Sequence, residues 1–217
     1  MLASALLSVE QLSWKPPAAA QFVLQKISFQ LAANECLALV GPSGCGKSSL
    51  LRCLLYLERP TAGTIRWRGK VVGPHNILQF RRAVAYVQQQ PTGICTSVAD
   101  NLAFARGAAS LNESQQLQLM ERLALSHLAL SRPFSQLSVG EQQRLALVRS
   151  LTPKPEILLL DEPSSALDET NEKRLEQVIA GYLAEQPHRS AIWVSHQPQQ
   201  RLRMCTRQLT IGCPSND

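Results

Sequence analysis

The sequence has no long apolar segment. Its apolar runs, such as Ile157 to Leu160, are only as long as a strand, whereas a helix that crosses a bilayer needs about 20 apolar residues. The amino-terminal segment also lacks the basic start and the uninterrupted apolar stretch of a secretory signal. We therefore expect a cytoplasmic chain that does not itself cross a membrane.

The sequence also lacks any pair of cysteines in the C-x-x-C spacing that is typical of zinc sites and thiol redox motifs. In a reducing compartment, scattered cysteines are more often free thiols than disulfide partners or metal ligands. We therefore expect free thiols at all six positions: Cys36, Cys45, Cys53, Cys95, Cys205 and Cys213.

The composition indicates one globular domain that meets anions. The 217 residues are 45% hydrophobic and 18% charged, which is typical of a folded chain with a substantial core. The net charge of +6 suits contact with nucleotide phosphates, nucleic acid or an anionic membrane surface, and it does not distinguish among them.

Strand-like and helix-like segments alternate along most of the chain. Short β-like runs over residues 22–31 and 35–40 precede a helical stretch over residues 47–58, and residues 63–72 alternate like an antiparallel ribbon. Residues 91–152 instead carry apolar residues at helical spacing, which indicates a helical insert. After the insert, strand, helix and strand follow again. This alternation predicts an α/β fold with a mostly parallel sheet.

A complete phosphate-loop motif follows the second β-like run. Residues 41–48, GPSGCGKS, fit G-x-x-x-x-G-K-[ST] and lie between a buried strand and the head of a helix. Glycines allow backbone N–H groups to point at a phosphate, and the helix N-terminus adds favourable potential. Lys47 then reaches the β- and γ-phosphates, and the Ser48 hydroxyl is placed to bind Mg²⁺. The alternative is a glycine-rich turn that only caps a helix.

The motif assigns a contiguous set of phosphate-binding residues. They are Gly41, Pro42, Ser43, Gly44, Cys45, Gly46, Lys47, Ser48 and Ser49. Because a thiol at a helix N-terminus can be reactive, redox control of nucleotide binding through Cys45 is a hypothesis that accompanies this assignment.

Two adjacent carboxylates, Asp161 and Glu162, end the apolar strand that begins at Ile157. Ligands of parallel sheets bind beyond the carboxyl ends of the strands. Asp161 suits the shell of a magnesium ion, and Glu162 is then free to polarise an attacking water. The alternative is that both acids are simply solvated at a strand end.

The segment LSVGEQQR, residues 137–144, has the form of a helix start. Ser138 and Glu141 fit a capping box before the apolar run that follows. Gly140 contributes nothing to helix stability in the first turn. A capped N-terminus with a glycine does offer exposed N–H groups to an anion.

The order of these motifs resembles the ATP-binding cassette (ABC) ATPase family. LSVGEQQR is similar to the family's signature segment and lies upstream of LLLDEP. Gln89 in AYVQQQP matches the Q-loop glutamine, with Gln88 and Gln90 as alternatives in register. Ser165 to Asp168 match the D-loop, and His196 in AIWVSHQ matches the switch histidine. Each residue alone also fits an ordinary structural role, so the resemblance rests on their order.

The resemblance implies a P-loop NTPase (RecA-like) core with a mostly parallel sheet, an N-terminal antiparallel β-subdomain and an inserted helical subdomain. Residues 1–217 then form a single ABC ATPase domain. Within it, residues 1–90 and 153–217 form the nucleotide-binding core with the β-subdomain, and residues 91–152 form the helical signature subdomain. The implied cofactors are ATP and Mg²⁺.

The resemblance also implies roles for the side chains at the strand ends. Ser48, Gln89 and Asp161 bind Mg²⁺, whereas Glu162, His196 and Gln89 act in hydrolysis. In that scheme His196 holds the γ-phosphate, and Gln89 contacts Mg²⁺ or the lytic water.

A head-to-tail homodimer in the ATP-bound state is a further implication. Ser138 and the backbone N–H of Gly140 then approach the γ-phosphate of ATP bound at the partner's Lys47. Val139 and Glu141 depart from the glycine and glutamine of the commonest signature. Because a carboxylate that faces a triphosphate is repulsive, we expect Glu141 to turn back to the backbone N–H of Ser138.

An aromatic residue stacks on adenine in this family. Trp14 and Phe22 flank the insert KPPAAAQ, and neither is cleanly in register. We take Trp14 as the adenine-stacking residue, with an ordinary surface or core aromatic as the alternative.

The implied function is that of the ATP-hydrolysing subunit of a membrane transporter. Such a subunit is peripheral on the cytoplasmic face of the inner membrane and binds a separate transmembrane permease subunit, with no direct contact with nucleic acid. The spacer segments most resemble the FetA-like iron-export group. The alternative is a non-transport ABC-type ATPase that acts on nucleic acid or ribosomes, whereas a nucleotide kinase would share only the phosphate loop.

Overall fold

A computed structural model describes residues 5–17, 19–106 and 110–212. Cys213 and both ends of the predicted domain 1–217 lie outside the described residues. The strands are β1 Leu7–Trp14, β2 Leu24–Leu31, β3 Cys36–Val40, β4 Ala62–Trp67, β5 Lys70–Val71, β6 Val84–Val87, β7 Ile157–Asp161, β8 Ser190–Val194 and β9 Arg207–Thr210. The helices are α1 Lys47–Leu54, α2 Ile77–Ala83, α3 Val98–Phe104, α4 Glu113–Arg122, α5 Val139–Leu151, α6 Glu169–Ala184 and α7 Pro198–Met204.

Five strands form a parallel sheet in the order β6-β7-β8-β3-β9. Strands β7 and β8 are buried along their whole length, as expected of apolar strands that are covered on both faces. This sheet confirms the predicted α/β fold with a P-loop NTPase core. It also places the carboxyl ends of β6, β7, β8 and β3 along one edge.

The other four strands form an antiparallel sheet in the order β2-β1-β4-β5, which confirms the predicted β-subdomain. The sequence pattern did not predict β1. Its pairing with β2 shifts register between Val9 and Leu12, and Gln11 between them has a φ of 51°. Because a bulge interrupts the alternation of inward and outward side chains, the period of two that identifies a strand is lost.

The inserted segment contains α3, α4 and α5, and the helical spacing of apolar residues in the sequence extends beyond the ends of the helices. Helix α4 ends at Arg122 although helical spacing continues towards Leu130, because Ala124 has a φ of 53°. Helix α1 ends at Leu54 rather than near residue 58, and Tyr56 also has a φ of 53°. A left-handed residue cannot continue a right-handed helix. The short helices α2 and α7 were also not predicted.

The parallel sheet separates two hydrophobic clusters. Ile157 and Leu159 of β7 belong to the cluster that includes α1 and the β-subdomain, whereas Leu158 and Leu160 belong to the cluster that includes α5 and α6. Successive strand residues face opposite sides, so β7 anchors both layers. Within the described ranges, no helix combines the length and the apolar character needed to cross a bilayer.

Candidate functional site

The phosphate loop connects β3 to α1. Gly44 and Gly46 have φ values of 78° and 96°, and Gly46 is the N-cap of α1. A Cβ on Gly46 would lie 2.8 Å from Cγ1 of Val23, and a Cβ on Gly41 would lie 2.3 Å from the backbone oxygen of Ile211. The loop therefore needs glycine at Gly46 for conformation and packing, and at Gly41 for packing.

Lys47 is folded into this loop. Its ammonium donates hydrogen bonds to the carbonyl oxygens of Gly41 and Pro42 at 2.9 and 2.8 Å. Because both acceptors are neutral, the positive charge stays available to an anion. Cys45 is only 1% exposed and packs in the core. Its thiol is thus shielded from oxidants, which argues against the hypothesis of redox control at Cys45. With the side chain buried, Cys45 can contact a phosphate only through its backbone.

Strand β7 ends in two carboxylates with different surroundings. Asp161 is buried and accepts a hydrogen bond from the Tyr86 hydroxyl at 2.9 Å. Burial and the neighbouring Asp161 carboxylate raise the pKa of Tyr86 above its usual range, so the hydroxyl remains a donor. Glu162 has a φ of 50°, and its N–H donates to the carbonyl oxygen of Val194 at 3.1 Å. This left-handed conformation costs about 1–2 kcal/mol and is typical of functional sites.

The carboxylate of Glu162 is held between side chains from two neighbouring strand ends. Gln89, which follows β6, donates from Nε2 to Oε2 of Glu162 at 3.2 Å. His196, which follows β8, places its Nε2 at 2.8 Å from Oε1. The structure therefore brings together the three side chains for which the resemblance implied catalytic roles.

A cleft of about 460 Å³ opens over the phosphate loop. Trp14, at the end of β1, is largely buried and borders this cleft. Phe22 instead lies near the Lys15 ammonium, 5.8 Å from its ring centroid. The structure thus brings Trp14 to the phosphate loop. The lining residues are Trp14, Pro16, Val23, Ser43, Gly44, Gly46, Lys47, Ser48, Ser49, Gln89, Glu162 and His196.

Residues 137–144 form the helix start that the sequence predicts. Ser138 is the N-cap of α5, with its Oγ accepting from the N–H of Glu141 at 3.3 Å and its own N–H donating to Glu141 Oε2 at 2.7 Å. Oε1 of Glu141 lies 2.8 Å from Nε2 of His127, a contact that sequence reasoning missed. Burial opposes ionisation of Glu141, but hydrogen bonds with His127 and Ser138 and the charge of Arg132 outweigh it and lower the pKa to about 2.

The signature residues Ser138 and Gly140 do not border the cleft of their own chain. Val139 between them is 57% exposed, so the N-terminus of α5 faces outward. On its inner side, a Cβ on Gly140 would lie 3.1 Å from Cδ2 of Leu167 and 3.2 Å from the backbone oxygen of Ala166. The signature segment therefore packs directly on the segment that matches the D-loop.

Gln143 joins three segments through one buried amide. Its Nε2 donates to the backbone oxygen of Gln89 and to Oγ of Ser165, both at 3.1 Å, and its Oε1 accepts from the N–H of Ala166 at 3.2 Å. The residue is 2% exposed, so these bonds form with little competition from water. Sequence reasoning missed the role of Gln143, because it is one of four consecutive polar residues, 141–144, in the first two turns of a helix.

Known proteins resemble this chain along most of its length. The family model described as ABC transporter matches residues 24–165. The probable iron export ATP-binding protein FetA of Escherichia coli (strain K12) is 39% identical over 176 residues, which cover 80% of this chain and 78% of FetA. The Fe(3+) ions import ATP-binding protein FbpC of Haemophilus influenzae (strain 86-028NP) is 37% identical over 190 residues, which cover 84% of this chain and 54% of FbpC. The chain thus spans about half the length of the import relative.

Solved structures share the fold. A bacterial Atm1-family ABC exporter with ATP bound matches with a TM-score of 0.86 and 24% identity, over 99% of this chain and 39% of the exporter chain. CbiO1 from Clostridium perfringens, part of the ABC transporter complex cbiONQ, matches with a TM-score of 0.79 and 22% identity, over 98% of this chain and 88% of that chain. At these identities the likeness establishes the fold.

We expect the charge of Glu141 to stabilise the start of α5 in a pH-dependent way. Its pKa is lowered from an ordinary value of 4.5 to about 2, so its contribution is complete above the ordinary value and is lost as the pH falls towards the lowered one. Glu141→Gln keeps an oxygen for the cap but removes the charge. The difference in free energy of unfolding between wild type and variant should therefore shrink on acidification, as measured by urea unfolding at several pH values.

The control for this experiment is the same pair of proteins in a His127→Ala background. Because His127 binds the carboxylate of Glu141, we expect Glu141→Gln to change the free energy of unfolding less in the His127→Ala background than in the wild-type background. A difference that is independent of both pH and His127 would contradict the proposed role of the Glu141 charge and of its contact with His127.

Proposed function

The chain belongs to the ABC transporter family, whose ATP-binding subunits hydrolyse ATP to drive transport, and we propose that it is the nucleotide-binding subunit that energises a membrane transporter. The observation that carries the proposal is a cleft that is lined both by Lys47 and by a carboxylate, Glu162, that is oriented by Gln89 and His196. Phosphoryl transfer to water requires this combination of positioned charge and a positioned base.

ATP binds in this cleft with its phosphates on residues 41–49 and its adenine against Trp14. The left-handed conformations of Gly44 and Gly46, together with the N-terminus of α1, direct backbone N–H groups towards an anion. Trp14 has an apolar ring at the wall of the same cleft, and such a ring offers a stacking surface.

Magnesium fits the oxygen donors beside Lys47. The Ser48 hydroxyl, the Asp161 carboxylate and the Gln89 amide are hard ligands, and a site with few protein ligands leaves positions for phosphate and water. The Tyr86 hydroxyl binds Oδ2 of Asp161 at 2.9 Å, which leaves Oδ1 for a cation. When bound, the ion neutralises charge on the phosphates.

Glu162 is the general base that polarises the attacking water. Gln89 and His196 each bind one of its oxygens, and its side chain is only 18% exposed, so the carboxylate has one fixed orientation. As the water oxygen attacks the γ-phosphorus and ADP leaves, the water proton passes to Glu162. The side chain of His196 is 55% exposed and can contact the γ-phosphate.

The signature segment acts on ATP that is bound to a second copy of the chain. The N-terminus of α5 faces outward and carries positive potential, which suits the γ-phosphate at the partner's Lys47. Ser138 and the N–H of Gly140 make this contact in an ATP-bound homodimer. Glu141 does not oppose it, because its carboxylate is bound to the helix cap and to His127.

Gln143 couples the positions of α5, the Q-loop and the D-loop. Through one amide, it connects the helix that meets the second ATP to the backbone of Gln89 and to the D-loop residues Ser165 and Ala166. A shift of any one segment breaks a bond in a buried environment, and an unsatisfied buried polar group costs about 1–3 kcal/mol. The three segments are therefore expected to move together.

We place the permease at the groove between the Q-loop and the residues that follow α3. Two adjoining cavities of about 720 and 260 Å³ form this groove and share the lining residues Val84, Ala85, Ser150 and Pro153. Ile94 lines the smaller cavity and is 51% exposed, and Phe104, which precedes Ala105 in the wall of the larger cavity, is 63% exposed. We propose that these two apolar side chains at the groove contact the permease. This contact holds the chain at the cytoplasmic face of the membrane.

The cargo is a property of the permease rather than of this chain. The relatives are named for iron export, for Fe(3+) import and for spermidine/putrescine import. Proteins with similar sequences thus serve different cargoes and both directions, and nothing in the described cleft distinguishes among them.

Glu162→Gln tests the assignment of the base. We expect this variant to bind ATP as wild type does and to hydrolyse it slower by about two to three orders of magnitude. ATP should then hold the protein as a dimer in size-exclusion chromatography. Lys47→Ala is the control that should lose nucleotide binding itself, and turnover of Glu162→Gln at the wild-type rate would remove Glu162 from this role.

Gln143→Met tests the link between segments. Methionine fills a similar volume without hydrogen bonds, so we expect a loss of stability of about 1–3 kcal/mol and a fall in ATPase activity that exceeds the fall in ATP affinity. Gln142→Met is the matched control, because Gln142 donates only to the carbonyl oxygens of Phe134 and Leu137 among its described contacts. Equal ATPase activity of the two variants would contradict the proposed transmission.

Co-purification from native membranes tests the permease contact. We expect wild type to bring down a membrane protein, and Ile94→Asp or Phe104→Asp to lose it while keeping ATPase activity in solution. Leu202→Asp is the control, because Leu202 is 76% exposed on α7 and lies outside the groove. Recovery of ribosomes or DNA in place of a membrane protein would favour the non-transport alternative.

A further inference from the structure

Two thiols from distant parts of the sequence lie in contact at the amino end of the parallel sheet. Cys36 begins β3, and Cys205 lies between α7 and β9. Their sulfur atoms are 3.1 Å apart. This separation is shorter than an ordinary contact between two sulfur atoms, although the residues are 169 positions apart in the chain.

The backbone holds these two positions together independently of the sulfurs. Strands β3 and β9 pair in parallel from Leu37 and Arg207 onward, and the N–H of Thr206 donates to the carbonyl oxygen of Cys36 at 2.9 Å. In this register Cys36 lies opposite Thr206, so Cys205 is its diagonal neighbour. A strand spacing of about 4.8 Å and a rise of about 3.3 Å per residue place such Cα atoms about 6 Å apart, within the separation of about 4.4–6.8 Å that a disulfide spans. A bond between the sulfurs therefore requires little movement beyond the two side chains.

We propose that Cys36 and Cys205 are a reversible redox pair that hydrogen peroxide converts to an intramolecular disulfide. Peroxide oxidises the Cys205 thiol to a sulfenic acid and releases one water. The Cys36 thiol then attacks the Cys205 sulfur, the S–OH bond breaks, and the hydroxyl leaves with the thiol proton as a second water. The two sulfurs together lose two electrons, and peroxide gains them.

Exposure assigns the order of the two steps. Cys205 is half-buried and accessible from the surface, whereas Cys36 is only 6% exposed. The hydrogen bond to Cys205 and burial raise the pKa of Cys36 above its usual range, which disfavours its thiolate and makes it the less reactive of the two thiols towards peroxide. The contact between the two sulfur atoms is what allows Cys36 to react in the second step. A cavity lined by Glu35 and Thr206, the chain neighbours of the pair, gives a small oxidant access to this region.

The bridge joins the last strand of the sheet to the strand that leads into the phosphate loop. Strand β9 lies at the edge of the sheet and is mostly exposed, so it is held mainly by its pairing with β3. A covalent link across so long a loop stabilises the fold by restricting the unfolded chain. Because the paired backbones are already in place, bridging should leave the cleft unchanged and retain ATPase activity.

The experiment treats the full chain with hydrogen peroxide, blocks remaining thiols and maps peptides without reduction. We expect a peptide that links Cys36 to Cys205 and that dithiothreitol separates. We also expect the thermal midpoint to rise by about 5 °C or more, with ATPase activity within about twofold of the untreated protein.

Three variants make the result specific. Cys205→Ser and Cys36→Ser should each lose the linked peptide and the rise in thermal midpoint. If the buried substitution Cys36→Ser prevents folding, Cys205→Ser still tests the proposal, because Cys205 is only half-buried. Cys95→Ser, outside the pair, should keep both. Absence of the linked peptide, a bridge that involves a different cysteine, or a bridged protein with an unchanged midpoint or little ATPase activity would each overturn the proposal.

Discussion

The arrangement of the cleft depends on the parallel pairing of β6, β7, β8 and β3. Because the carboxyl ends of parallel strands meet at one edge, Gln89, Glu162, His196 and the phosphate loop come together from distant parts of the sequence. Burial on both faces fixes the register, since a slip of one residue would turn every core side chain to the wrong face. The apolar residues that form the core therefore also align the site.

Helix α5 connects this site to the surface. Its first turn is capped at the surface by Ser138 and Glu141. Further along, the buried Gln143 binds the backbone of Gln89, whose side chain donates to the Glu162 carboxylate. A helix is rigid over this distance. An anion that binds at the N-terminus of α5 therefore acts on the same helix whose Gln143 binds the backbone of Gln89. The cap and the buried amide thus give one short helix two connections, one to the proposed second copy and one to the site of its own chain.

Two kinds of feature could be predicted: motifs that are contiguous in the sequence, and the arrangement that the resemblance implies from the order of those motifs. The phosphate loop is contiguous, so the spacing of its glycines and Lys47 is enough to identify it. The meeting of strand-end side chains followed from a parallel sheet and from the order of motifs. Gln143 and His127 could not be predicted, because their partners lie in other segments. The bulge at Gln11 and the left-handed residue Ala124 were equally hidden, because side-chain patterns do not report backbone conformation.

The central claim is that each ATP is hydrolysed between the phosphate loop of one copy and the signature segment of another. A mixture of two inactive variants tests it directly. Lys47→Ala removes the loop charge, and Val139→Asp places a carboxylate at an exposed first helical position, which tolerates acid but repels a phosphate. We expect the mixture to regain ATPase activity, because mixed dimers contain one intact composite site. A mixture no more active than the sum of the separate variants would contradict it.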